Sequence, residues 1–236
     1  MRRGADPGRY CRGRSMARIG QVSSEDDHGQ TLLMSTYTAH PDSLRPGQRA
    51  RRERIVSAAL ELLEEGEYES IHVRDVAQRA DVALGTMYHY FSSKEHLYAA
   101  VMLEWASSFR RAIARRPLNG QTSQERLKDL FGRVIRAFER HPQFLRLEIV
   151  LENSTDRHAR EMFAVFSDHN LSTFATALDT LPVTGAREIT SIAAIVMGSM
   201  LHAWALQRVE IARVYESVFL AIDLIFSPPP SALQAR

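Results

Sequence analysis

The side chains in this chain that could do chemistry are few, and their spacing does not form an enzyme site. The one cysteine, Cys11, leaves no partner for a disulfide or a paired-cysteine metal site. His158, Glu161 and the pair Asp168–His169 put acid–base and ligand types on one predicted helix. They lack a third partner at an accepted spacing. The pattern therefore predicts no catalytic centre, no metal site and no cofactor.

A second group of polar and aromatic side chains surrounds one glycine in a short predicted helix, Ala83–Tyr90. A glycine inside a helix costs about 1 kcal/mol relative to alanine. Gly85 therefore indicates a close approach, either of DNA or of another helix. Tyr88 and His89 carry polar tips that suit phosphate oxygens, and Thr86 suits a phosphate or a thymine methyl group. The candidate DNA contacts are Arg74, Leu84, Gly85, Thr86, Tyr88, His89, Tyr90 and Lys94.

Some of these candidates also have an ordinary structural interpretation. Arg74 could form a salt bridge with Asp75 or Glu69 instead of reaching DNA. One of the two tyrosines is expected to lie partly in the core, because so short a helix must bury one face together with Met87. Lys94 lies in the first turn of the next helix, where the helix dipole does not favour a cation. A DNA phosphate is the better reason for that lysine.

The elements that position these residues are three short helices followed by a long one. Small and apolar residues at three- and four-residue steps across Ile55–Leu63 predict a first helix that ends at Gly66. Val73–Arg79 and Ala83–Tyr90 are joined by a three-residue turn, which is the arrangement of a helix-turn-helix. A capping-box pattern then predicts a new helix over Ser92–Arg115, with Ser92 as its cap.

Three runs in this segment form a recognisable signature: Val73–Ala77, Val82–Phe91 and Ser93–Glu95. Together they closely resemble the DNA-binding signature of the TetR family of one-component bacterial regulators, over about Arg51–Leu103. The resemblance implies a homodimeric, ligand-responsive transcriptional repressor. It would bind a pseudo-palindromic operator in double-stranded DNA and be released from it by a small hydrophobic effector held by the second domain. Residues 79–83 also look like those of actinobacterial TetR-type repressors of sterol catabolism.

The chain departs from the usual pattern of this family at three positions. Asp81 stands where the turn commonly carries glycine, and Ala83 where the recognition helix is commonly capped by serine or threonine. His72 stands where the second helix is commonly capped by threonine. The changes weaken local capping by roughly 1 kcal/mol each. We expect them to affect base specificity and to leave the fold unchanged.

Helical periodicity continues through the rest of the chain, and no segment alternates with period two as a strand would. The sequence thus predicts an all-α protein with an N-terminal three-helix helix-turn-helix unit and a larger helical ligand-binding and dimerisation domain. The further predicted helices are 123–140, 142–152, 156–181, 185–208 and 211–226. The predicted division is a disordered tail at 1–43, the DNA-binding domain at 44–92, the larger domain at 93–227 and a C-terminal tail at 228–236.

Apolar side chains of the larger domain predict two further surfaces. An excess of phenylalanine and methionine favours a cavity for a large apolar effector, although ordinary packing accounts for most such positions. The candidate effector residues are Trp105, Phe131, Ile135, Phe138, Met162, Phe163, Phe166 and Met197. Arg136, Arg146 and Arg157 could meet an anionic group on that molecule or lie on solvated faces. The resemblance to the family implies dimerisation through the last two helices, where the candidate contacts are Gly198, Ser199, Val214, Val218 and Ile222.

Charge and hydropathy narrow the function classes. The formal net charge is only +2, but residues 45–54 carry five arginines and residues 61–69 carry five carboxylates. The basic end is therefore the one expected near DNA. With no uninterrupted apolar run of 18 residues and no signal-like leader, we expect no membrane span and a cytoplasmic location. Two alternatives stay open: a ligand-independent DNA-binding or nucleoid-associated protein, and a transcriptional activator with the same fold.

Overall fold

The computed structural model describes residues 44–178 and 183–227, and every regular element in these ranges is helical. The all-α prediction is thereby confirmed. The predicted tails at 1–43 and 228–236 lie outside the described residues. The helices are α1 (Pro46–Glu65), α2 (Val73–Arg79), α3 (Leu84–Tyr90), α4 (Lys94–Arg115), α5 (Ser123–Arg140), α6 (Pro142–Glu152), α7 (Arg157–Ala175), α8 (Val183–Ala205) and α9 (Ile211–Phe226), with 3-10 turns at Tyr68–Ser70 and Thr176–Leu178.

Local caps explain where the helices of the larger domain begin. The Glu125 N–H donates to Thr122 Oγ1 at 3.2 Å, and the Thr122 N–H donates to the Glu125 carboxylate at 3.2 Å. This capping box starts α5. At the start of α4, the His96 N–H donates to the Ser93 hydroxyl at 2.9 Å. The prediction that Ser92 caps α4 is therefore wrong by one residue, and Ser92 is free to make a different contact.

The turn between α2 and α3 tolerates the residues that depart from the family pattern. Asp81 has a φ of 53°, in the left-handed region that aspartate adopts more readily than most residues. Ala83 precedes α3 without a side-chain cap. At the start of α2, the Asp75 carboxylate accepts from the His72 N–H at 3.1 Å. This bond satisfies one of the free amides at the start of α2 and offsets part of the expected loss.

The helix-turn-helix unit shares its core with α4. α1 buries one face that includes Ile55, Ala59 and Leu63, and this face packs against α4. Tyr98 of α4 is fully buried, and its ring meets the ring of Tyr68 edge to face at 5.1 Å. A unit of under 50 residues buries little apolar area and is at best marginally stable alone. It is supported here by the long helix that follows it.

The larger domain is built around α5 and the pairs α4–α7 and α8–α9. The buried face of α5 carries Leu127, Phe131, Val134, Ile135 and Phe138, at the spacing of an amphipathic helix. α7 ends at Ala175, earlier than the predicted 181, and a 3-10 turn follows it. Because α4 follows the DNA-binding unit and packs against α7, it runs from that unit into the core of the larger domain.

One helix within the described residues is long and apolar enough to cross a membrane by length and composition alone. This is Gly185–Ala205 of α8, with a mean hydropathy of 1.2 over its most apolar window. This helix was not predicted as a candidate span, because it contains no uninterrupted run of 18 apolar residues. The helix packs against α6, α7 and α9, but only 22% of the window is buried within the protomer. The remaining apolar surface is available to another molecule.

Candidate DNA-binding surface and effector cavity

The outward face of α3 is an open surface around a glycine. Leu84 and Tyr88 are each 45% exposed although both are large apolar or aromatic side chains. A Cβ added to Gly85 would meet no atom within 4 Å. Nothing inside the protomer therefore requires a glycine at this position, and close packing against a neighbouring helix of the same chain does not explain it. Thr86 and His89, which flank this face, are partly exposed.

Two of the predicted DNA contacts are turned toward the protein itself. Tyr90 is only 4% exposed and belongs to the core. The Lys94 ammonium donates to the Tyr68 carbonyl oxygen and lies 3.9 Å from the centre of the Tyr68 ring. Partial burial lowers the pKa of Lys94, although Glu69 and Glu95 act to raise it. The Tyr90 assignment is corrected, because the short helix buries Tyr90 with Met87. Lys94 has a partner in the fold, and its contact with DNA stays a prediction.

The DNA-binding unit also carries exposed arginines. The Arg74 side chain is 75% exposed, and its Nε lies 3.8 Å from an Asp75 oxygen. At that distance, and with both groups exposed, the pair is too weak to hold the guanidinium in one place. Arg45, Arg49, Arg51 and Arg54 of α1 and the loop before it are also exposed. The candidate residue set omitted these arginines, although the charge count of residues 45–54 had indicated them.

A cavity of about 610 Å³ lies between the second half of α4 and α5. One wall is apolar and includes Trp105, Phe109 and Ile113. The Trp105 ring is stacked on Phe144 of α6, with 4.4 Å between ring centres and 8° between planes. The remaining lining residues are Ser108, Ala112, Arg116, Pro117, Asn119, Asp129, Arg133, Arg136, Ala137, Arg140 and His141.

Four arginines and one carboxylate give this cavity a positive rim. Asp129 is paired with Arg133 at 2.7 Å and accepts from the Asn119 N–H at 2.9 Å. Arg133 in turn donates to the carbonyl oxygens of Arg116 and Pro117, each at 2.9 Å. These bonds tie the α4–α5 loop to α5. They also pair Asp129, the one carboxylate of the lining, with Arg133.

The other cationic groups of the rim are available to a ligand. Arg116, Arg136 and Arg140 are exposed. Burial and Glu139 raise the pKa of Tyr215, while Arg136, which lies near its hydroxyl, lowers that pKa by less. Neither Arg116 nor Arg140 has a carboxylate within salt-bridge distance in the part of the chain that is described. The cavity therefore combines an aromatic wall with uncompensated positive charge, which suits an apolar molecule that carries an anionic group.

The predicted effector residues are only partly brought together. Trp105 lines the cavity beside α5, and Met162 lines a second cavity of about 560 Å³ between α1, α4 and α7. Phe131, Ile135, Phe138, Phe166 and Met197 are buried, and Phe163 is half-buried. Their role toward a ligand stays a prediction. Of the predicted arginines, Arg136 reaches the rim, whereas Arg146 pairs with Glu67 and Arg157 with Glu161.

The predicted dimer contacts divide between the two faces of α8 and α9. Val214, Val218 and Ile222 are fully buried within the protomer, so they cannot meet a partner and their assignment is corrected. They are the inward positions of α9, where it packs on α5 and α8. Ser199 is exposed, and a Cβ on Gly198 would meet no atom within 4 Å. The same two helices expose Ile192, Ile195, Leu220 and Leu224 by 52 to 68% each, and Leu206, directly after α8, is 57% exposed.

Comparison with known proteins places this geometry in a family. Residues 55–101 match the family described as bacterial regulatory proteins, tetR family. The chain is 32% identical over 182 residues to the HTH-type transcriptional repressor KstR of Mycolicibacterium smegmatis, covering 75% of this chain and 88% of that protein. It is 31% identical over 206 residues to KstR of Rhodococcus jostii, covering 86% and 95%.

A solved structure shows the same fold. Thermus thermophilus FadR, a TetR-family transcriptional repressor in complex with lauroyl-CoA, superposes with a TM-score of 0.62 at 21% identity. The match covers 76% of this chain and 96% of that one. The relatives are regulators rather than enzymes. The chain therefore belongs to the TetR family of bacterial regulatory proteins and is similar over most of its length to transcriptional repressors.

Proposed function

We propose that the protein is a dimeric repressor that reads a pseudo-palindromic operator with α3 and leaves it when an anionic apolar effector enters the cavity beside α5. The observation that carries the proposal is the position of α4. Its first turn follows the recognition helix α3 directly, and its second half, from Trp105 onward, forms the apolar wall of the cavity. A molecule that displaces this wall therefore acts on the same helix that supports the DNA-binding unit.

The DNA-reading surface consists of the exposed side of α3 together with the exposed arginines of the DNA-binding unit. Leu84 and Thr86 offer apolar and hydroxyl contacts to base edges, and Tyr88 and His89 offer polar contacts to the backbone. Gly85 allows the helix backbone to approach the groove. Arg74 and the exposed arginines of residues 45–54 supply phosphate contacts.

The effector is best matched by a molecule with a long apolar part and a negatively charged end. The lauroyl-CoA of the Thermus protein has this chemistry. In the present chain the aromatic wall around Trp105 and Phe109 would take the apolar part. Arg116, Arg136 and Arg140 would take the phosphates or carboxylate at the rim. An acyl-CoA or a related thioester is the class we test.

Dimerisation through α8 and α9 accounts for the apolar residues that these helices expose. Ile192 and Ile195 of α8 and Leu220 and Leu224 of α9 would be buried against a second copy. The same burial accounts for the apolar composition of α8 without a membrane. A two-fold axis here would place two recognition helices in successive major grooves, about 34 Å apart. A DNA-binding regulator of this kind acts in the cytoplasm.

The proposal is tested by operator selection followed by release. The protein is used to select duplexes from random DNA, and the recovered sequence is expected to be an inverted repeat. Fluorescence anisotropy then follows a labelled duplex as lauroyl-CoA is added, with free CoA and laurate as controls. Release by lauroyl-CoA but by neither control supports the proposal. Strong thermal stabilisation by lauroyl-CoA without release would exclude effector control, and selection of no duplex would exclude operator binding.

A double arginine variant tests whether the cavity is the effector site. Arg116→Gln combined with Arg140→Gln removes two positive charges from the rim, so it should weaken lauroyl-CoA binding at least tenfold and leave duplex affinity unchanged. Arg115→Gln is the matched control, because Arg115 is exposed on the same helix and does not line the cavity. Equal losses in both variants would show only a general charge effect.

A further inference from the structure

The ends of two helices meet at one carboxylate where the DNA-binding unit joins the larger domain. Ser93 caps α4, and Asp156 caps α7 by accepting from the Ala159 N–H at 2.8 Å. The second oxygen of the same carboxylate accepts from the Ser92 hydroxyl at 3.2 Å. Asp156 therefore caps its own helix and also holds the residue that precedes the cap of α4.

The direction of these hydrogen bonds follows from His96. The Ser92 N–H donates to His96 Nδ1 at 3.1 Å, so this nitrogen is unprotonated and its single lone pair is in use. The Ser92 hydroxyl also lies 3.1 Å from it. Because that lone pair is occupied, the hydroxyl proton is directed to Asp156. Ser92 is thus held through its backbone by α4 and through its side chain by α7.

The joint needs a negative charge. The N-termini of both α4 and α7 carry partial positive charge from their free backbone amides. Burial raises the pKa of Asp156. Hydrogen bonds from the Ala159 N–H and the hydroxyls of Ser93 and Ser92 lower the pKa by more than burial raises it, so the net shift is downward. The carboxylate is ionised at neutral pH and stabilises both helix ends. The stacked rings of His96 and His158, 5.1 Å apart, pack beside it.

Ser92, which Asp156 binds, lies two residues after the end of the recognition helix α3. Tyr90 is the last residue of α3, Phe91 is its buried C-cap, and Ser92 comes next. We propose that Asp156 is a positioning residue for DNA binding. Acting through Ser92, it holds the end of α3 against the larger domain, so that both recognition helices of a dimer keep the separation that an operator requires. The inference rests on the proposed DNA-binding function and concerns a residue that touches neither DNA nor the effector cavity.

Four variants separate this role from a loss of helix capping. Asp156→Ala removes both the cap and the joint. Asp156→Asn keeps the cap, because asparagine caps helices about as well as aspartate, but its amide nitrogen cannot accept from the Ser92 hydroxyl. Ser92→Ala removes the joint and leaves the cap of α7. Thr122→Ala is the control, because it removes the N-cap of α5, a different helix of the larger domain. All four are measured as full chains, without effector, on a duplex selected by the wild type.

The expected result is a loss of affinity that follows the joint rather than the cap. Asp156→Ala should bind the duplex about fivefold to tenfold more weakly, and Ser92→Ala and Asp156→Asn about threefold more weakly, while Thr122→Ala stays within about twofold of the wild type. Asp156→Ala and Thr122→Ala should lower the melting temperature by similar amounts. Wild-type affinity in both Asp156→Ala and Ser92→Ala, or an equal loss in Thr122→Ala, would overturn the proposal.

Hydrogen exchange tests the joint without DNA. The backbone amides of residues 88–92 should exchange faster in Asp156→Ala than in the wild type and at the wild-type rate in Thr122→Ala. Unchanged exchange at these amides in Asp156→Ala would overturn the joint even if the protein binds an operator. Faster exchange in a protein that selects no duplex would instead contradict the proposed DNA-binding function and leave the joint supported.

Discussion

At the scale of single residues, Gly85 separates DNA binding from folding. A side chain at this position meets no atom of the protomer within 4 Å, and replacing a helical glycine removes a cost of about 1 kcal/mol. Gly85→Leu should therefore keep or slightly raise the melting temperature and abolish duplex binding, because the side chain would occupy the gap between α3 and the groove. Anisotropy titration and thermal unfolding measure the two effects.

A second open glycine supplies the control for that substitution. Gly185, at the start of α8, also has no atom within 4 Å of an added Cβ. Gly185→Leu should leave duplex binding unchanged at a similar melting temperature. Tight duplex binding by Gly85→Leu would show that α3 does not approach DNA through this position.

His96 makes the stability of the protein sensitive to acid. Burial and the neighbouring His158 lower its pKa to about 4, whereas an unfolded histidine titrates near 6.5. Between these values the unfolded chain binds a proton that the folded chain refuses. The contribution of neutral His96 is therefore complete above pH 6.5 and is lost as the pH falls to about 4. The difference corresponds to a loss of about 3 kcal/mol in the free energy of unfolding.

A non-titrating variant isolates this contribution from that of the carboxylates. In His96→Asn the amide oxygen can replace Nδ1 as acceptor for the Ser92 N–H. Urea unfolding at pH 7 and at pH 5 should show a smaller loss of stability in His96→Asn than in the wild type. Equal losses in the two proteins would mean that His96 is protonated as easily in the folded state as in the unfolded one.

At the scale of elements, the sequence predicted the helices well where caps and prolines mark their ends. α5, α6 and α9 begin and end where the sequence indicated, because Thr122, Pro142 and the run after Phe226 are strong local signals. α7 ends earlier than predicted, since no such signal stands near Ala175. The burial of Tyr90 and the contact of Lys94 with Tyr68 could not be predicted from the sequence, because both depend on tertiary packing.

The exposed apolar residues of α8 and α9 predict where the dimer forms. Ile195 is 68% exposed in the protomer and lies on the face that we assign to the two-fold interface. Ile195→Arg would bury a charge against the partner, so it should yield monomers and weaken operator binding. Sedimentation velocity measures the first effect and anisotropy the second.

The control for this interface is an apolar residue exposed elsewhere. Val165 of α7 is 45% exposed and lies outside α8 and α9. Val165→Arg should remain dimeric and bind the duplex like the wild type. A dimeric Ile195→Arg protein would move the interface away from this part of α8.

At the scale of the whole molecule, the effector cavity could not be located from the sequence. Periodicity identified the apolar faces of α5 and α7, and several of their residues, such as Phe131 and Phe166, are buried. The open space lies instead beside the second half of α4, where Asp129 and Arg133 of α5 bind the α4–α5 loop. Such a gap depends on contacts between distant segments, whereas the positive charge of Arg136 was visible in the sequence.

If α4 connects the cavity with the DNA-binding unit, effector and operator must oppose each other equally. Linkage requires that lauroyl-CoA lower the affinity for the operator by the same factor by which the operator lowers the affinity for lauroyl-CoA. We expect a factor of about 5 to 150, the usual range for such coupling. Calorimetric titration of lauroyl-CoA with and without saturating duplex gives one value, and anisotropy with and without saturating lauroyl-CoA gives the other.

The rim arginines allow a stricter form of this test. Arg116→Gln with Arg140→Gln should weaken lauroyl-CoA binding to the free protein and to the DNA complex by the same amount, because both charges contact the anionic end in either state. The coupling factor should therefore stay at its wild-type value while the lauroyl-CoA concentration needed for release rises. A factor of one in the wild type would show that the cavity binds the ligand without moving α4. A factor that changes in the rim variant would show that the arginines themselves sense the position of the DNA-binding unit.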